Sequence, residues 1–139
     1  MILGRHTYAI LIIAFYFSVG LLIYNDYGIS WDEQYQRSYG EALHGYVFEG
    51  DTALLSHNSR YHGLIVQMVR YGAEKGLGIT DLKEVCETRH LITFLISVVG
   101  LWFFHLLLLE FGFKPIWAAY GLPMLVCSPR IFAHSFFNS

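Results

Sequence analysis

Leu91-Ile92-Thr93-Phe94-Leu95-Ile96-Ser97-Val98-Val99-Gly100-Leu101-Trp102-Phe103-Phe104-His105-Leu106-Leu107-Leu108-Leu109 holds no acid, lysine or arginine. At 1.5 Å per residue, a helix over these positions reaches about 28 Å, close to the hydrocarbon thickness of a bilayer. Two further apolar runs flank it. Tyr8 to Tyr24 carries no charge and covers about 25 Å as a helix. Pro115 opens the third, and proline suits the first turn of a helix. That run extends to about residue 133, with Pro123 and Pro129 expected to kink or break it. Charged residues make up 14% of the 139 positions and apolar residues 55%, and the apolar residues are blocked together. This pattern predicts an all-α membrane protein with about three transmembrane helices (8–24, 91–109 and 115–133). Between the first two lies a long extracytoplasmic loop, 25–88. A net charge of −2 gives no electrostatic case for nucleic acid.

A secretory signal peptide competes for the first run. No small-x-small cleavage site closes it, because it ends in Ile23-Tyr24-Asn25-Asp26, so an uncleaved anchor is the expectation. Arg5 precedes the first span and Lys114 lies in the short turn between the second and third. Both are expected on the cytoplasmic side, which puts the amino end inside and the loop outside.

The loop has helical periodicity. Trp31, Tyr35, Tyr39, Leu43 and Tyr46-Val47 mark one amphipathic helix, ending near Gly50-Asp51. Tyr61, Leu64-Ile65 and Met68-Val69 mark a second, ending near Gly72. These stripes suit packing against the membrane interface or a neighbouring protein. A third helix is expected from Thr80 as N-cap, with Asp81 in the first turn, and nothing breaks it before span two.

Asp32 and Glu33 follow the first span by eight residues. Ser30-x-x-Glu33 fits a capping box, with Asp32 favouring the positive end of the helix. The same adjacent carboxylates suit acid–base chemistry, and one geometry can serve both. Arg89-His90 opens span two. Arg89 either snorkels to head groups or offers its fork to a phosphate, and Arg130 beyond span three poses the same choice. The histidines show no H-x-x-x-H pair, His57 and His62 being five apart, so no all-protein metal site is expected. A divalent ion resting on Asp32 is the one metal role left open, and no cofactor is otherwise implied. Cys86 and Cys127 are too few for a disulfide framework or a zinc site, and Cys127 reads as a small buried hydrophobe.

Three segments together resemble a known family: Ile29-Ser30-Trp31-Asp32-Glu33, Thr88-Arg89-His90-Leu91, and Ser128-Pro129-Arg130-Ile131-Phe132-Ala133-His134-Ser135-Phe136-Phe137-Asn138-Ser139. They are similar, in order and spacing, to the polytopic family-39-like glycosyltransferases of the C-type fold, which include the protein O-mannosyltransferases. The resemblance implies transfer of a sugar from a polyprenyl-phosphate donor to a lipid, glycan or protein acceptor outside the cytoplasm. It implies Asp32, with Glu33 beside it, as the catalytic acid pair. Arg89 and Arg130 would face the donor phosphate, and His90, His134 and Asn138 would border the cleft. Family members carry many more spans, and a second acid, often in a Lys-Asp pair, would be expected just beyond Ser139. The chain therefore reads as the amino-terminal third, or less, of such an enzyme, most readily in a bacterial inner membrane. A small non-catalytic membrane adaptor is the main rival. A transporter fragment is another, but spans one and two offer only His105 to a midplane pathway.

Overall fold

The structure is a computed structural model that describes residues 3–58, 60–61 and 63–137. Every regular element among them is helical. In chain order these are α1 (Leu3–Ile23), α2 (Glu33–His44), a π-helical turn (Gly45–Glu49), α3 (Ala53–Ser56), α4 (Leu64–Leu77), α5 (Leu82–Glu110), α6 (Pro115–Val126) and α7 (Pro129–His134). They form two compact units. An apolar unit comprises residues 3–27 and 90–137, and a loop unit comprises residues 28–89, so the boundary falls inside α5 between Arg89 and His90.

Two helices, Gly4–Ile23 and Leu82–Glu110, are long and apolar enough to cross a membrane. The third expected span is not one helix. α6 has 12 residues, about 18 Å, well short of the hydrocarbon thickness. The chain stops being helical at Cys127-Ser128 and restarts at Pro129. The cause is local. A residue before proline avoids the α region, and Ser128 is extended (φ −69°, ψ 117°). Pro123, by contrast, is accommodated within α6. The same break corrects the reading of Cys127: it sits in the turn after α6 and is exposed.

The apolar unit is built around Phe94 of α5, which is fully buried. Its ring stacks on Phe136 with centroids 5.1 Å apart and lies 5.3 Å from Tyr16. Gly20 of α1 makes room for it, because a β-carbon at Gly20 would collide with the Phe94 ring. The Tyr16 hydroxyl meets Ser97 Oγ at 3.3 Å, and Nδ1 of His6 lies 3.2 Å from Nε2 of the buried His105. α5 closes at Gly112, whose positive φ of 84° lets the Phe113 amide return to the Leu108 carbonyl.

In the loop unit, α2 packs on α4 around a small core of Tyr39, Leu43 and Leu54, with Ala42 and Met68 against it. The two helices approach closely at Gly40, where a β-carbon would stand 3.1 Å from Tyr71 Cβ. The first turn of α2 differs from a capping box. The Ser30 amide does donate to Glu33 Oε2 at 3.1 Å, but the Ser30 hydroxyl donates to Asp32 Oδ1 at 2.6 Å. The helix begins after Asp32, not after Ser30. α5 likewise starts one residue later than expected: Asp81 Oδ2 accepts from the amides of Lys83 and Glu84, so Asp81 rather than Thr80 supplies the capping side chain.

Candidate functional site

The side chains that bind α2 to α4 and to the start of α5 are polar. On α4, Gln67, Arg70 and Glu74 follow the i, i+3, i+7 spacing of one helix face, and all three are buried. On α2, Glu33, Gln36 and Arg37 occupy one face, and Arg89 comes from α5. Glu74 holds two guanidinium groups: Arg89 Nη1 donates to Oε1 at 2.7 Å, and Arg37 Nε donates to Oε2 at 3.0 Å. Arg89 Nη2 donates to Gln67 Oε1 at 3.0 Å. Gln67 Nε2 and Arg70 Nη1 both donate to Gln36 Oε1, at 3.1 and 3.0 Å. Gln36 Nε2 then donates to Asp32 Oδ2 at 2.7 Å. Five of these links cross between elements, so one chain of hydrogen bonds leads from Arg37 to Asp32.

The network is balanced. Asp32, Glu33 and Glu74 face Arg37, Arg70 and Arg89, three charges of each sign. Balance matters because an unpaired buried ion costs several kcal/mol (about 3–5 when one partner is lost). Burial lowers the Arg70 pKa to about 10, helped by the positive charge of Arg89 and opposed by Glu33, Asp32 and Glu74. At neutral pH the group still carries its proton. Glu33 is buried, and the buried thiol of Cys86 hydrogen-bonds to it. Asp32 is the one acid of the three that remains half-exposed.

The expected site residues are distributed as follows. Asp32, Glu33 and Arg89 belong to the loop unit and join one network. Arg89 is 1% exposed, and its fork is directed at Glu74 and Gln67. Its terminal nitrogens are engaged within the protein. His90 belongs to the apolar unit and is buried against Phe137 and Tyr27, with ring centroids 5.0 and 6.4 Å away, a packing position rather than a cleft wall. Arg130 and His134 lie in α7 of the apolar unit, and both are exposed. Asn138 and the histidine at 62 fall outside the described residues. Among the described residues, no group of three or more histidine, cysteine, aspartate or glutamate side chains is placed to hold a metal ion.

Gln36, Arg37, Gln67, Arg70 and Glu74 were not foreseen as site residues. The signal was a polar stripe at helical spacing on α4, opposite the apolar one. The apolar stripes are divided: Tyr39 and Leu43 are buried, whereas Ile65 is exposed and Trp31 is 94% exposed. Comparison of the chain with known protein families, with curated proteins and with solved structures gives no match.

Proposed function

We propose that the chain is a membrane-embedded part of a glycosyltransferase that moves a sugar from a polyprenyl-phosphate donor to an acceptor hydroxyl, with Asp32 as the general base. One observation carries this reading. Asp32 is half-exposed while both of its carboxylate oxygens are held by donors, Ser30 on one side and Gln36 on the other. A base needs a fixed lone pair open to the substrate, and positioning supplies much of its rate advantage. Glu33 is buried and bonded to the Ser30 amide, so its part is to fix the turn that carries Asp32. Arg89 acts through Gln67 and Glu74, not on the donor.

In this reading α1 and α5 cross a bacterial inner membrane with the amino end in the cytoplasm, and the third run crosses as two broken segments, α6 and α7. Loop helices α2 and α4 lie at the outer interface, where Trp31 and Tyr61 are the aromatic anchors. A second reading, a non-catalytic adaptor, is favoured by the exposed apolar residues Leu64, Ile65 and Val69 of α4. The test is sugar transfer in vesicles supplied with a polyprenyl-phosphate sugar, using the protein as its gene encodes it. Asp32→Asn is expected to cut the rate by about 10²–10⁴-fold with insertion unchanged. Near-normal transfer by this variant rejects Asp32 as the base, whereas no transfer by the unaltered protein favours the adaptor. Cysteine labelling that puts positions 5 and 32 in one compartment rejects the topology.

A further inference from the structure

We infer that Gln36 is the positioning residue for the Asp32 carboxylate and that its amide has only one workable orientation, dictated from the far end of the network. The inference deepens, and rests on, the reading of Asp32 as the base. A guanidinium has donors and no acceptor. Arg70 therefore requires an oxygen opposite its Nη1, and Gln36 must turn its carbonyl there, 3.0 Å away. Arg89 imposes the same demand on Gln67, whose carbonyl accepts from Nη2 at 3.0 Å. The amino group of Gln67 is thereby committed to the same Gln36 oxygen, at 3.1 Å. With two donors on its oxygen, Gln36 is left with its amino group toward Asp32 Oδ2, at 2.7 Å. A flipped Gln36 amide would set N–H groups against N–H groups and present a carbonyl oxygen to a carboxylate. Two arginines thus fix two amides, and the second amide fixes one oxygen of Asp32. Ser30 Oγ holds the other at 2.6 Å.

Gln36 acts on the carboxylate by donating to Oδ2 and so holding its rotamer. Without that donor the half-exposed carboxyl is free to turn toward solvent. Carbodiimide labels accessible carboxyls, so its reaction rate at one fixed pH reads this effect residue by residue through peptide mass spectrometry. The full chain in detergent or nanodiscs is compared with Gln36→Leu and Gln36→Glu. The second variant keeps an acceptor for Arg70 and Gln67 but has no donor for Asp32. Modification of Asp32 is expected to rise on the order of tenfold in both variants, the loss of one hydrogen bond that holds the carboxylate. Buried Glu33 should stay protected and exposed Asp26 should react as before. Unchanged modification of Asp32 in a variant that keeps Glu33 protected overturns the inference. Reaction of Glu33 in both variants overturns it as well, since Gln36 would then hold the fold rather than the carboxylate. If Asp32 modification rises tenfold while vesicle transfer is unaltered, the positioning stands and the assignment of Asp32 as base falls.

Discussion

Glu74 offers an internal comparison, because one buried carboxylate takes two arginines whose surroundings differ. Arg89 and Glu74 are 2% and 3% exposed at their side chains, with 2.7 Å between them. Arg37 reaches the other oxygen at 3.0 Å but is 36% exposed. Truncating Arg89 to alanine leaves Glu74 buried with one partly solvated partner and Gln67 without its donor. A cost of about 3–5 kcal/mol is expected. Truncating Arg37 lets water replace it, so the cost should stay at or below about 1 kcal/mol. Native-state hydrogen exchange of α2 and α4 amides measures both, since these helices close over the network. A loss of about 3 kcal/mol accelerates exchange through opening of the loop unit by roughly 150-fold, whereas 1 kcal/mol accelerates it about fivefold. Equal acceleration by Arg37→Ala and Arg89→Ala would refute the claim that burial sets the strength of these pairs. A small effect of Arg89→Ala alone would show that the interior of the loop unit is wet.

Three further outcomes are expected. Gly20→Ala should destabilise the apolar unit by about 1–3 kcal/mol, because the new methyl collides with the Phe94 ring; thermal melting in detergent tests this, and Phe94→Leu should recover part of the loss. Asp81→Ala should cost about 1 kcal/mol and Thr80→Ala almost nothing, measured by exchange at the Lys83 and Glu84 amides, because the aspartate makes the capping bonds. The Glu49 carboxyl is held below its ordinary value by the hydrogen bond from Lys75 and then by that residue's charge. A lowered folded value means its stabilising contribution is full above the ordinary carboxylate range and is lost as pH falls through the folded value. Carboxyl NMR should show Glu49 returning toward the ordinary range in Lys75→Ala, and high salt should mimic that change for so exposed a pair.

The helices were legible where apolar blocks or strong boundary residues fix them. Leu91 to Leu109 lies within α5, and Pro129 ended one helix and began the next, as its missing N–H and its effect on Ser128 require. The end of α4 was misread. Gly72 lies within it, and the helix runs to Leu77 before Gly78 turns it with φ 65°. Gly72 is tolerated because a single helical glycine costs only about 1 kcal/mol, less than the packing of α4 on α2 returns. The capping box was half right, since the Glu33 arm forms while Ser30 prefers Asp32. That choice depends on Gln36, Gln67 and Arg70, which lie far apart in sequence. Arg89 shows the same limit. Its place at the head of an apolar run suggests an interfacial cation, and only the fold brings Glu74 to it.

Why the links between the arginines and Asp32 are amides follows from charge balance. The network holds three acids and three arginines, and it is closed by Gln36 and Gln67. A carboxylate at either position would accept from arginine equally well but would leave the cluster one negative charge in excess and could not donate onward. A lysine would donate but would confront Arg70 or Arg89 with another positive group at hydrogen-bond distance. Glutamine alone among these accepts at one atom and donates at another without changing the total. That makes the order of the chain directional: donors start at the arginines, and the last donor ends on the half-exposed carboxylate. If Asp32 takes a proton from a substrate hydroxyl, the cluster passes from zero to one net positive charge. The excess then arises at the only member of the three acids that water and substrate can reach, where it is least costly to hold and easiest to discharge.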